Sequence, residues 1–453
     1  VTQQESPDWF AELADAQSRT EVLPTQNTPA EVEEPARRPR RRWLGRVIGI
    51  VATFLVLALI ATYASLTLNA PIRAASVLAT APSVSRPAAA ILALPKIGES
   101  AISISGADDY LGPTADGIYA SSNGNGAVPM ASISKLITAM VVLSARPLGA
   151  SGNGPTITWS KDDSALYDKY FALNATIAAM KNGGSMSEHD ALETMLVVSA
   201  CNYAEAMADW AFGSDAGFDS AAKKWMRANG LTGTTMVEPT GLDDRNTSTP
   251  SDMITLGKLA MANPAIAAMV AKPSLDVPSL AGMLNTNDLL GSDGVNGIKT
   301  GTLDTAGSDL LFSAVVPVGL PQPLTAIGIV LGGQNHGSVN ADVRALIDSI
   351  KLGFHVEQFG TKGQVVGSYS TAWGAKATMV LGGSASALTW SDTRITSTMT
   401  TTTIKTGASG EKVGSVTWTA GKSKVTVPVV LRGRIAGPSS WWRLTHPAQL
   451  LDK

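Results

Sequence analysis

The sequence has one cysteine, Cys201, and four histidines, His189, His336, His355 and His446. A single thiol excludes an intramolecular disulfide framework, and imidazoles scattered without ligand spacing give no metal site, so no cofactor is expected. An imbalance of charge is also missing, with 35 Lys+Arg against 37 Asp+Glu in 453 residues. Beyond one basic cluster near the N-terminus no charge run occurs, which removes nucleic acid as a partner. The length exceeds one ordinary domain, so two folded units with accessory segments are expected.

Residues 1–46 are polar, begin acidic and end in Arg37, Arg38, Arg40, Arg41, Arg42 and Arg46, the composition of a disordered tail. An uncharged apolar run follows at 47–68, roughly 22 residues or about 33 Å as a helix, against a hydrocarbon core of about 30 Å. It is a candidate transmembrane helix. Six arginines precede it and only Arg73 lies just beyond, which puts the tail in the cytoplasm and the remainder outside the cell membrane. The run exceeds a signal-peptide core and starts far from the N-terminus, so an uncleaved anchor is expected.

Residues 69–98 are rich in Ala, Pro and Ser, as in an extracytoplasmic stalk. From 99 to 358 the pattern gives a short strand hairpin, a long helical stretch and further strands, a mixed α+β body. Leu310 to Val318 and Leu324 to Leu331 are apolar strands, and Val343, Leu346, Ile347 and Ile350 then fall at helical spacing. Residues 363–453 change to short alternating runs separated by Gly/Ser turns, a small all-β domain in which no helix is expected.

Ser132-Ile133-Ser134-Lys135 opens a run so apolar that its helix must be buried. Spacing of three stacks Lys135 one turn from Ser132, close enough for amine to meet hydroxyl. Burial disfavours a charged ammonium, which lets a lysine serve as general base for a serine nucleophile. Ser220-Ala221-Ala222-Lys223 has the same spacing but the character of a solvated helix face. Ser199 continues the stripe Leu192, Met195, Leu196 and is expected on the buried face of a helix, where its hydroxyl needs a partner. Lys299-Thr300-Gly301-Thr302 closes an expected strand whose glycine admits a ligand backbone. Lys405-Thr406-Gly407 repeats part of it within the β region. Order and spacing separate the sets: Ser132 and Lys135, then Ser199 about 70 residues on, then Lys299 about 100 residues later.

With those motifs, and with Pro239-Thr240-Gly241-Leu242 and Asp293-Gly294-Val295-Asn296-Gly297-Ile298 beside them, the chain resembles the low-molecular-mass penicillin-binding proteins of the D-alanyl-D-alanine carboxypeptidase family. The resemblance implies a β-lactamase-like catalytic domain and a membrane-anchored enzyme acting on peptidoglycan stem peptides that end in D-Ala-D-Ala. β-Lactams would be its covalent inhibitors. It further implies acylation of Ser132, proton acceptance by Lys135 and proton relay by Ser199. Lys299 and Thr300 would bind the terminal carboxylate, beside Gly301, and the Ser132 and Thr302 amides would form the oxyanion hole. The family's second motif is Ser-x-Asn, whereas an ungapped alignment here gives Ser199-Ala200-Cys201, with Asn202 one residue late. Cys201 is expected in the asparagine's place, since that keeps Ser199 in register. Alternatives sharing the fold are a D,D-transpeptidase, a β-lactamase or a weakly catalytic penicillin sensor. A class A β-lactamase would need a glutamate in an E-x-x-L-N loop, and Glu238 in Glu-Pro-Thr-Gly-Leu misses that spacing.

Overall fold

The computed structural model describes residues 40–107, 118–149 and 152–451. The polar segment 1–39, expected to form most of the tail, lies outside them. The described residues divide into two compact units, residues 40–71 with 440–451, and a second within residues 72–439.

In the first unit, helix α1 (Arg40–Asn69) contains a 27-residue stretch, Trp43–Asn69, long and apolar enough to cross a membrane and unburied along its most apolar window. Phe54, Leu55, Leu59 and Ile60 are all exposed, an arrangement that water would penalise and lipid would not. Two short helices, Ser440–Thr445 and Pro447–Leu451, complete the unit, whereas the alternating pattern predicts only strands to the end of the chain. Pro447 opens the second of them, where its missing N–H costs nothing. Arg443 Nη1 donates to the carbonyls of Leu68 at 3.0 Å and Ala70 at 2.8 Å. These lie at the end of α1, where backbone acceptors lack helical partners and a cation is favoured.

The second unit is built on a five-stranded antiparallel sheet. Its strands are β1 (Glu99–Ser105), β2 (Ile118–Ser122), β3 (Val295–Leu303), β4 (Gly307–Val316) and β5 (Leu324–Gly333), in the order β2-β1-β5-β4-β3. Alternation along β4 and β5 sends side chains to opposite faces. Leu311, Ile327 and Ile329 join a core formed with the helices α2 (Ser134–Ala145), α3 (Glu188–Val197) and α4 (Cys201–Phe212). Leu310, Phe312 and Val330 meet Val343, Leu346, Ile347 and Ile350 of α5 (His336–Gly353) on the other face. The sheet is thus buried on both sides, which is why its central strands are nearly continuous apolar runs.

An open six-stranded sheet occupies the later part of this unit, with Trp418 buried in its core. Its edge strand is Ser76–Ala79, paired antiparallel with Val365–Ser370. Ala75 N–H also donates to the Ile404 carbonyl at 2.8 Å. The Ala/Pro-rich segment is therefore held on the sheet here and is not a free stalk: an open sheet edge offers unpaired backbone groups to any extended chain nearby. Strand Phe354–Gly360 pairs with Ala385–Trp390, so strand pairing crosses the boundary expected at 358–363.

Candidate active site

Ser132 lies in a 3₁₀ turn, Ala131–Ile133, that leads into α2. Ala131 before it has φ +45°, a left-handed conformation an alanine adopts at a cost and only where its surroundings enforce it. Lys135 is fully buried. Its Nζ donates to Ser132 Oγ at 2.8 Å and to the Thr240 carbonyl at 2.6 Å. Nothing anionic touches it in that hydrogen-bond set. Ser220, in contrast, is exposed, and its neighbour Lys223 bonds Asp219 at 2.7 Å.

Strand β3 runs beside this turn. A Cβ on Gly301 would lie 2.9 Å from Ala131 Cβ and 3.0 Å from the Met130 carbonyl oxygen, so only glycine lets the strand approach the residues that carry Ser132. Two residues earlier Lys299 is 1 % exposed, and its Nζ donates to the Thr300 carbonyl at 3.1 Å. Burial, and then the like charge of Lys135, hold Lys299 well below the ordinary lysine value, with Cys201 acting in the opposite direction. Two lysines thus share a buried site with neutral partners, and an anionic ligand entering there would relieve both desolvation and repulsion. Thr300 Oγ1 meets Thr286 Oγ1 at 2.5 Å. Lys405, in the repeated Lys-Thr-Gly, is exposed in a turn of the β region.

Ser199 is placed differently from the helical stripe on which it is expected. Helix α3 stops at Val197 and α4 starts at Cys201. Ser199 sits between them with φ +68° and is 4 % exposed. The apolar period of α3 does run into this serine, but left-handed backbone ends the helix and lets α4 leave in a new direction. Cys201 is buried at the first turn of α4, close enough to Lys299 to influence its charge state. Asn202 faces elsewhere: its Oδ1 accepts from Ala178 N–H at 3.2 Å and its Nδ2 donates to the Ala178 carbonyl at 2.8 Å. It clamps the preceding loop.

Thr302 is exposed, and its hydroxyl pairs with Nε2 of His336 at 2.7 Å. Burial lowers the His336 pKa, with Asp288 and Lys299 acting in opposite directions. The sequence pattern does not point to His336, because it lies at the start of α5, 34 positions from Thr302, and belongs to no spaced motif. A cleft of about 800 Å³ adjoins the site, with Tyr170, Glu205, Glu238, Thr240, Leu303 and Asp304 on its walls. Among the described residues no group of His, Cys, Asp and Glu could hold a metal ion.

Residues 113–334 match the D-alanyl-D-alanine carboxypeptidase family, peptidase family S11. D-alanyl-D-alanine carboxypeptidase DacA of Escherichia coli is 26 % identical over 220 residues, 48 % of this chain and 53 % of that protein. The D-alanyl-D-alanine endopeptidase of E. coli is 32 % identical over 200 residues, 42 % of this chain and 60 % of that protein. The matched part of the chain thus spans about half the length of the first of these relatives. Penicillin-binding protein 6B of E. coli shares the fold, with a TM-score of 0.51 at 20 % identity over 78 % of this chain and 99 % of that one. Residues 113–334, which carry the paired Ser132 and Lys135, belong to the D-alanyl-D-alanine carboxypeptidase family.

Proposed function

We propose that this chain is a membrane-anchored serine D-Ala-D-Ala carboxypeptidase of peptidoglycan stem peptides, working through an acyl-enzyme on Ser132. The observation that carries the proposal is the 2.8 Å contact between Lys135 Nζ and Ser132 Oγ in a buried site. In the proposed reaction Ser132 Oγ attacks the carbonyl of the penultimate D-alanine while Lys135 takes the hydroxyl proton. The Ser132 and Thr302 amides face the oxyanion, and Lys299 with Thr300, beside Gly301, holds the terminal carboxylate. Ser199 relays a proton to the departing amine, with Cys201 beside it, and D-alanine leaves. Water then cleaves the ester and restores Ser132. A β-lactam carries the same carboxylate and a strained amide, so it would acylate Ser132 by the same route. The long apolar helix supports anchoring, and the arginines before it support a cytoplasmic N-terminus with the catalytic unit outside.

The test is intact-protein mass after exposure to benzylpenicillin, together with D-alanine release from a peptide ending in D-Ala-D-Ala. Wild type should gain one penicillin and release D-alanine. Ser132→Ala should do neither, and Ser220→Ala should match wild type. Acylation that survives Ser132→Ala would overturn the assignment of the nucleophile. Cleavage confined to cross-linked peptides would replace the carboxypeptidase reading with an endopeptidase one.

A further inference from the structure

Lys135 owes its second hydrogen-bond partner, the Thr240 carbonyl, to an irregular turn, Glu238-Pro239-Thr240-Gly241. Neither a helix nor a sheet ladder fixes that turn, so its backbone groups need another source of order. The Glu238 carboxylate supplies it. Oε2 accepts from Thr240 N–H at 2.6 Å, and Oε1 accepts from Gly241 N–H at 2.6 Å, from Asn246 Nδ2 at 3.0 Å and, more weakly, from Asp243 N–H at 3.4 Å. Asn246 Nδ2 also donates to Ser134 Oγ at 3.1 Å, and Thr138 Oγ1 donates to the Pro239 carbonyl at 2.8 Å. Both links join the turn to the helix that bears Lys135. Gly241 completes the contact: its φ is +84°, and a Cβ there would lie 1.9 Å from the Ala131 carbonyl oxygen.

On these contacts, and resting on the acylation chemistry proposed above, we infer that Glu238 is a positioning residue that holds the Thr240 carbonyl against Lys135 Nζ. A water-activating base would need a free oxygen. Both oxygens of Glu238 already take short bonds from backbone N–H groups, and an ionised carboxylate has only acceptors to offer them. Glutamine has nearly the same shape but replaces one oxygen with NH₂, which would face an N–H and leave it unpaired.

The experiment measures benzylpenicillin acylation kinetics, resolving the dissociation constant of the non-covalent complex from the acylation rate constant, for wild type, Glu238→Gln and Thr138→Val. In Glu238→Gln the rate constant should fall roughly ten- to a hundredfold, the effect of one lost charge-assisted hydrogen bond, with the dissociation constant almost unchanged. Thr138→Val is nearly isosteric and loosens the turn from the α2 side. It should slow acylation roughly two- to tenfold with the same split, and it decides the matter if the Gln variant does not fold. An unchanged acylation rate in Glu238→Gln overturns the inference, as does normal acylation followed by a persistent acyl-enzyme, which would make Glu238 a hydrolytic base. Equal losses in both constants also overturn it, since they signal a distorted cleft. If wild type takes up no penicillin, the function fails and this assignment falls with it.

Discussion

Asp309 brings a carboxyl group into the sheet with one hydrogen bond, from Gly332 N–H to Oδ1 at 2.8 Å, while Oδ2 is buried with no partner. Burial raises its pKa from 3.8 to about 7, and the Gly332 bond lowers it less. The sign of the linkage follows: between these values the native state holds a proton that the unfolded chain has released, so stability falls as pH rises from about 4 to about 7. Asp309→Asn keeps the shape and removes the ionisation. Denaturation midpoints at pH 5 and pH 8 should show a stability gain at pH 8 that is smaller at pH 5, with about 4 kcal/mol as the upper bound. Equal effects at both pH values would refute it. At this scale the sequence is uneven. Ser132 and Lys135 were legible because they are three apart on an apolar helix, and Ser220 was separable by its charged neighbours. Asp309 and His336 were not, because the groups that define them, Gly332 and Thr302, come from distant segments, and Glu238 was not, because its nearby partners are mainly backbone N–H groups that leave no mark in the sequence.

At the scale of elements, period alone reproduces the sheet and its packing helix, since β4, β5 and α5 are built from apolar runs with little ambiguity. It does not locate the break at Ser199. Leu192, Met195 and Leu196 predict a continuing helix, and only the left-handed backbone at Ser199 ends it. That break divides the next residues: Cys201 is buried at the start of α4, where it bears on the charge of Lys299, while Asn202 ties α4 to Ala178. Asn202→Ala should therefore lower stability by about 2–3 kcal/mol through two lost buried hydrogen bonds, measured by denaturant unfolding. Cys201→Asn should act on chemistry instead, raising acylation by roughly two- to tenfold. Stability unaffected by Asn202→Ala, combined with no gain in Cys201→Asn, would mean that Asn202 serves the substrate directly.

For the whole molecule, the apolar span was legible from length and composition, but the role of the residues after it was not. Ser76–Ala79 has too few residues to announce a strand, and its partner lies almost 300 positions away, at Ser370 to Gly367. The consequence concerns where the chain can be cut. A fragment of residues 72–439 keeps one compact unit entire and loses the exposed apolar helix, so it should stay in solution, take up penicillin at the wild-type rate and not sediment with lipid vesicles. A fragment starting at 99 keeps every residue proposed for catalysis but strips the edge strand and the Ala75 bond to Ile404. It bares the backbone of Val365–Ser370 to solvent and to other copies. This shorter fragment should melt at a lower temperature and aggregate more readily on heating, while its initial acylation rate, set around Ser132, stays near wild type. Thermal denaturation monitored with light scattering compares the two. Identical melting and scattering would mean that residues 72–98 contribute nothing to the fold, and vesicle sedimentation of the 72–439 fragment would mean that α1 is not what carries the chain to a membrane.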